Sequence, residues 1–342
     1  MKTSIPFGAP FPQTAMVTRS LGKALRFAIG CALLVSGLAH AQQWPAKPVR
    51  LVVPVSPGGA TDLLARMVGK ALSENLGQPF IVDGKPGAAG AIASGEVARA
   101  PADGYTLLVA TSSTHSVAPA VSSNLRYKPV DDFTPIALLA ESNNLILASP
   151  TIGARNMKEL LALAREKPGY LNYSSSGLGS FGHLTMELFS NQAGVKLTHV
   201  PYKGTSSSIP DMMAGSVHLA VDSLSSALPP VKDGRLRGLA VTGPNRSPLA
   251  PEIPTLADSG LPGFSVLSWF GLYGPRGMPP ELVKRINAEV NKVLRSPDLA
   301  ARYVSLGLEP ARAGSPDEFA TMVAKDTERW KALAKQFNIK LD

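Results

Sequence analysis

From residue 49 onward the chain repeats one pattern: a short apolar, β-branched run, a loop of glycine, serine and proline, then a stretch whose apolar residues return every three or four positions. VRLVVPV (Val49 to Val55) is followed by SPGGATD, after which Leu63, Leu64, Met67, Val68, Ala71 and Leu72 keep helical spacing. Pro54 has no N–H for a sheet ladder, so the first strand is expected to end there. PFIVDG leads into KPGAAGAIASGEVARA, and GYTLLVATSS supplies a third strand. A second series begins near Asn144: LILAS, a helix over Met157 to Arg165, LNYSSS, a helix after Gly182, KLTHVPY, a helix before Ala214, then VHLAVDS and LRGLAVT. From Pro279 the pattern changes to helix alone. Val283, Ile286, Val290 and Val293 mark one amphipathic helix, and Phe319, Met322, Val323, Trp330, Leu333 and Phe337 a longer final one. Alternating strands and helices predict an α/β architecture with largely parallel sheets, in two lobes, with the helical tail packed on one of them.

The first forty residues follow other rules. Lys2, Arg19, Lys23 and Arg26 precede an uncharged run from Phe27 to Leu38, and Ala39-His40-Ala41 is a small-x-small cleavage signal. Residues 1–41 therefore read as a secretory signal peptide, cleaved near Ala41 after export by the general route. The apolar run is far shorter than the roughly 20 residues a membrane-spanning helix needs, and no later run exceeds it, so no retained membrane helix is expected. The one cysteine, Cys31, sits inside that run and not after it, which argues against a lipid anchor. Residues 42–342 have no cysteine, hence no disulfide and no thiolate chemistry. The formal net charge of +9 includes the four basic residues of the leader. The modest excess that remains suits a small anionic ligand, and it lacks the basic clusters and interleaved aromatics of a nucleic-acid surface.

Candidate chemistry concentrates in two loops, Ser56 to Asp62 and Ser174 to His183, each between a strand and a helix. In open parallel sheets ligands bind beyond the carboxyl ends of strands, where helix N-termini offer bare N–H groups to an anion. Gly177 to Gly182 spells GxGxxG, yet no acidic residue stands about 20 positions later to take a ribose hydroxyl, so no dinucleotide cofactor is expected. No GxSxG or GxxxxGK[ST] occurs, and His115, His183, His199 and His218 lack metal-ligand spacing. Ser180, His183 and Asp222 could come together from separate loops as a triad; a secreted hydrolase or isomerase remains the alternative from another class.

Six stretches in order carry a resemblance: WPAKPVRLVVPVSPGGATDLLAR, LGQPFIVDGKPGAAG, PADGYTLL, NYSSSGLGSFGHL, HVPYKG and SPLAPEIPTLADSGLPGF. Together they resemble the tripartite tricarboxylate transporter receptors, the Bug family of periplasmic solute-binding proteins, from about Trp44 to the C-terminus. The resemblance implies a type II-like Venus flytrap with mixed sheets flanked by helices. Residues 42–142 with 271–342 would form one lobe and 143–270 the other, hinged near Ala140 to Leu147 and Val266 to Leu272. It implies a non-enzymatic receptor, without cofactor, metal or nucleic acid, acting as a monomer. This receptor would close on a small organic carboxylate and deliver it to membrane transporter subunits, or present it to a signalling partner. By position, Ser56, Gly58, Gly59 and Asp62 would contact the ligand from the first lobe, with Thr111 and Ser112. Ser175, Ser176, Gly177, Gly179 and His183 would contact it from the second, supported by Tyr202, Lys203 and Asp222. Ser56 stands where the family usually has proline, Gly84-Lys85 where it has Asn-Arg, and Lys128 where it has aspartate; these departures bear on which acid is bound.

Overall fold

The computed structural model describes residues 44–340, apart from Ser56, Gly59, Lys203 and Gly204, together with Met1 and Ser4. The cleavage site and apolar run expected of a leader lie outside the described residues. Within the unit that starts at Lys47 there are two sheets. The first has β1 (Val49–Val53), β2 (Phe80–Gly84), β3 (Thr106–Thr111), β4 (Phe133–Ser142), β10 (Ser268–Pro275) and β11 (Glu309–Pro310) in the order β11-β4-β10-β3-β1-β2. The second has β5 (Asn144–Ala148), β6 (Asn172–Ser175), β7 (Thr198–Pro201), β8 (Leu219–Ser223) and β9 (Arg237–Val241) in the order β7-β6-β8-β5-β9.

Both sheets are mixed, and the reason is the crossing chain. β1 pairs in parallel with β2 and β3, as the strand–helix alternation predicts, and β6 pairs in parallel with β7 and β8. The antiparallel partners are β4, β10 and β11 in the first sheet and β5, with β9 beyond it, in the second. β4 ends at Ser142 and β5 starts at Asn144, so the chain changes sheets at Asn143; it returns between Val241 and Ser268. Side chains fasten this crossover. Asn143 Oδ1 accepts from Gly243 N–H at 2.7 Å, Thr242 Oγ1 donates to Val266 O at 2.7 Å, and Ser268 Oγ donates to Asn144 Oδ1 at 3.1 Å. A Cβ on Gly243 would fall 2.2 Å from Asn143 Oδ1, so that approach requires glycine.

The helices follow the apolar spacing. α1 (Ala60–Leu76) buries Leu64, Ala65, Val68 and Leu72. α2 (Ala91–Ala98) and the short α3 (Ala118–Val121) flank the first sheet's loops. α4 (Met157–Glu166) starts on Asn156, whose side chain accepts from Glu159 N–H at 2.9 Å, and α5 (Phe181–Ala193) ends on Gly194 in the left-handed region. α6 (Ile209–Ala214) and α7 (Leu224–Lys232) complete the second sheet's helices. α8 (Pro280–Leu294) buries Val283, Ile286, Val290 and Val293, the positions its spacing marked. α9 (Pro297–Ser305) was not anticipated. α10 (Pro316–Gln336) opens on a Ser315/Glu318 capping box.

The tail differs from expectation in one respect. Phe319 and Val323 of α10 pack with Trp269 and Tyr273 of the first sheet, whereas Trp330, Leu333 and Ala334 pack with Leu184, Met186 and Phe189 of α5. The final helix is long enough to give half its apolar stripe to each sheet's core. No described helix is long and apolar enough to cross a membrane.

Candidate functional site: a cleft between the two sheets

β1, β2, β3, β6 and β8 each deliver a loop to the same cleft. β1 stops at Pro54, and the chain turns at Gly58 (φ +95°) into the first turn of α1. There Asp62 is almost fully buried, and its Oδ2 accepts from Gly58 N–H at 3.0 Å and Arg66 Nε at 2.9 Å. Burial pushes this carboxyl up, but the hydrogen bonds from Arg66 and Gly58 and the guanidinium charge outweigh it and hold the carboxyl below the ordinary range. After β3, Thr111 and Thr114 knot the turn. Thr111 N–H donates to Thr114 Oγ1 at 3.1 Å and Thr114 N–H to Thr111 Oγ1 at 3.4 Å. The chain then widens into a π-type turn, Ser113–Val117, of the kind that recurs at binding sites. Below it His115 is enclosed by the rings of Phe133 and Tyr273, with centroids 4.8 and 4.6 Å away. Burial lowers its pKa to about 3, so it stays neutral.

The second lobe's loop rests on a stack of rings. Ser175 Oγ accepts from Gly177 N–H at 3.1 Å and lies 2.7 Å from His199 Nε2. Gly177 (φ +129°) and Gly179 (φ +69°) take conformations that favour glycine. Gly179 N–H donates to His183 Nδ1 at 3.0 Å, which leaves the proton of that neutral ring on Nε2, 3.9 Å from Glu187 Oε1. The His183 and His199 rings stack at 4.0 Å, and Tyr173 stacks on His199 at 5.0 Å. Burial lowers both imidazoles to about 4, His199 with a further push from His183. Ser180 caps α5 by accepting from His183 N–H at 3.3 Å. Asp222 is the next-to-last residue of β8; its Oδ1 accepts from Ser223 N–H at 2.8 Å and burial raises its pKa to about 6.

Between these loops lies a cavity of about 600 Å³. Thr61, Ser112 and Ser113 reach it from the first lobe, and Ser176, Ser180 and Phe181 from the second. The crossing segment forms its back with Asn144, Ser268, Trp269 and Phe270. Two helix N-termini, those of α1 and α5, open onto one space, and their unpaired N–H groups favour an anion there. Among the described lining residues no lysine, arginine or histidine occurs, and Asp222 is the one ionisable side chain. Among the described residues no cluster of three potential metal ligands exists.

Of the residues expected from sequence, the structure brings Thr111, Ser112, Ser176, Gly179 and Asp222 to the cavity wall. Ser56, Gly59 and Lys203 lie outside the described residues. The others are not on the wall, for reasons their bonds supply. Asp62 is turned inward to Gly58 and Arg66; Ser175, Gly177 and His183 hold the second loop from beneath. Tyr202 donates its hydroxyl to Asp211 Oδ2 at 2.6 Å, a bond that, with burial and that carboxylate's charge, raises it to about 12. Nor are Ser180, His183 and Asp222 joined as a triad: Ser180 Oγ caps the helix, and His183 Nδ1 is occupied by Gly179. Asn144, Trp269 and Phe270 were missed, since only the crossover places them beside the loops. We expect Tyr202→Phe to cost about 1 kcal/mol of stability, the scale of one hydrogen bond, and to leave ligand affinity unchanged. Denaturant melts and calorimetry on the same variant check both.

Two lobes' strand-end loops converging on an anion-friendly cleft is the geometry of a binding receptor, and comparison with known proteins agrees. Residues 64–339 match the model of the tripartite tricarboxylate transporter family receptor. The chain belongs to this family. Among its relatives, the protein BugT of Bordetella pertussis is 31% identical over 317 residues, covering 92% of this chain and 97% of BugT. Among solved structures, R. palustris Rpa4515 with adipate is 39% identical, with a TM-score of 0.79 over 87% of this chain and 99% of that one. MatC from Rhodopseudomonas palustris, with bound malate, is 33% identical, with a TM-score of 0.74 over 85% and 99%. Family receptors thus share the two-lobed α/β architecture seen here.

Proposed function

We propose that this family member is an exported receptor that captures a small organic carboxylate in the cleft and delivers it to a tripartite tricarboxylate-type membrane transporter. The observation that carries the reading is the cavity itself: two helix N-termini and hydroxyls without partners meet there from opposite lobes. Among the described residues, Thr61, Ser112, Ser113 and Ser176 have no hydrogen-bond partner for their hydroxyls, so each has a donor to give. A carboxylate accepts several such bonds at once, each worth more than a neutral pair. The acids bound to Rpa4515 and MatC support the class. The lobes, 42–142 with 271–342 and 143–270, would close by a hinge at the crossover near Asn143 and Val266, with ligand biasing the closed form. Residues 1–41 would direct export and be removed, and the mature receptor would act as a monomer without cofactor.

The test is a thermal-shift screen of mono-, di- and tricarboxylates, followed by calorimetry and product analysis. We expect at least one acid to raise the melting temperature and to be recovered unchanged. Conversion of the acid would favour an enzyme, and no shift with any acid would reject the carboxylate reading. With a binding acid in hand, Ser176→Ala should weaken it by about 1 kcal/mol or more, the worth of a hydrogen bond to a charged group. Unchanged affinity would move the contact elsewhere in the cavity.

A further inference from the structure

The charge inventory of the cavity is unusual for an anion site. Among the described residues every donor on its wall is neutral, a hydroxyl, an amide or a backbone N–H, and the one ionisable group there, Asp222, carries the ligand's own sign. Asp222 sits where β8 ends, on the rim that also holds Ser176 and the start of α5. One hydrogen bond is formed to its carboxyl, from Ser223 N–H to Oδ1, and among the described residues no cation pairs with it. A carboxylate has acceptor capacity for about four hydrogen bonds. Leaving a half-buried one underused beside an incoming anion would oppose binding twice, by desolvation and by like-charge repulsion. A ligand that brings its own donor reverses both effects.

We propose that the ligand carries a hydrogen-bond donor, a hydroxyl or an ammonium, beside its carboxylate, and that Asp222 accepts it. This rests on the receptor reading and narrows it: the cleft selects donor-bearing acids over the same carbon chains without the donor. The acids bound to the two structural relatives differ in this respect, adipate having no such group and malate a hydroxyl, and the proposal sides with the malate type. Asp222 is then a specificity residue, and the hydroxyls of Ser112, Ser113 and Ser176 serve the carboxylate common to both kinds of ligand.

Matched triples test this by calorimetry at pH 7.5: propionate, lactate and alanine; succinate, malate and aspartate; glutarate, 2-hydroxyglutarate and glutamate. Within at least one triple we expect a donor-bearing member to bind ten-fold or more tightly than the unsubstituted acid. Asp222→Asn, which keeps an acceptor for Ser223 N–H, should shrink that gap to three-fold or less, chiefly because the unsubstituted acid gains. A pH series from 8 to 5.5 on the wild-type protein separates the two donors and does not depend on the variant folding. As Asp222 takes up its proton near pH 6, an ammonium ligand loses affinity, an unsubstituted acid gains it, and a hydroxy acid changes least. On the elements packed against β8 the titratable groups are Tyr173, His183, Glu187 and Lys232; His183, at about 4, stays neutral across this range. Unsubstituted acids binding as tightly as their partners in every triple, or a gap unmoved in Asp222→Asn, would overturn the proposal while leaving a carboxylate receptor. If no acid in any triple binds while the wider carboxylate screen yields a ligand without a donor, the proposal fails and the receptor reading stands; if that screen is empty too, both fail.

Discussion

Asp222→Asn raises the melting temperature of the ligand-free protein at pH 8 and changes it little near pH 4. Burial lifts the Asp222 carboxyl from 3.8 to about 6, so between those values the folded state holds a proton that the unfolded state has released. Stability from this group is therefore greatest below 3.8, is lost as pH rises through 6, and stays lost above it. Two units correspond to about 3 kcal/mol, and the half-buried carboxyl faces a cavity that water can enter, so about 1–3 kcal/mol is the expected gain from asparagine. That is a few degrees of melting temperature for a chain of this size. Asparagine keeps an acceptor for Ser223 N–H, so the substitution isolates the charge. Melts in buffers from pH 4 to 8 check it; parallel curves for the two proteins would mean that the carboxyl is fully hydrated. A residue that costs the empty protein stability and is offset only by ligand follows the trade between stability and function.

The parts of the fold that read cleanly from sequence are those where local chemistry and tertiary packing agree. Pro54 cannot donate to a ladder, and β1 ends one residue before it. The apolar spacing of α4, α8 and α10 matches the faces they bury. Where the two disagree, the sequence misleads. Pro229 and Pro230 lie inside α7, a helix that breaker rules would deny; its first turn follows β8 directly and its apolar face closes on Leu145 and Val241. The antiparallel strands could not be foreseen from strand–helix alternation, because they arise where the chain crosses between sheets. The same holds for the site. Glycine and serine after a strand mark Ser176 and Gly179, the family resemblance adds Thr111 and Ser112, and the rule that ligands gather at strand ends marks Asp222. Trp269 and Phe270 stand at a strand's beginning, inside the Val266 to Leu272 stretch expected to serve as a hinge and not as a ligand wall. Only the crossover turns that stretch into the back wall of the cavity.

Asp62→Ala should lower both stability and ligand affinity, although Asp62 does not line the cavity. Its buried carboxylate ties Gly58, in the left-handed region, to the first turn of α1, and so fixes the path from Pro54 to Thr61, both of which do line it. Alanine removes the acceptor for Gly58 N–H and Arg66, together with an acidic group that favours a helix N-terminus. Loss of a buried charge-assisted hydrogen bond costs about 1–3 kcal/mol. The carboxyl's lowered pKa fixes the sign of its pH dependence. Its contribution is complete above the unfolded value near 3.8 and fades as pH falls through the lower folded value, so wild type and variant should converge in acid. Freed from its tether, the loop must be reordered on each binding event, and we expect affinity to fall ten-fold or more. Asp62→Asn, which retains an acceptor for Gly58, should recover part of the affinity and less of the stability, since the Arg66 pair is still lost. Amide exchange across residues 57–62, read with melts and calorimetry, distinguishes the causes. A lower melting temperature with unchanged affinity would make Asp62 a purely structural anchor and remove the first loop from the site.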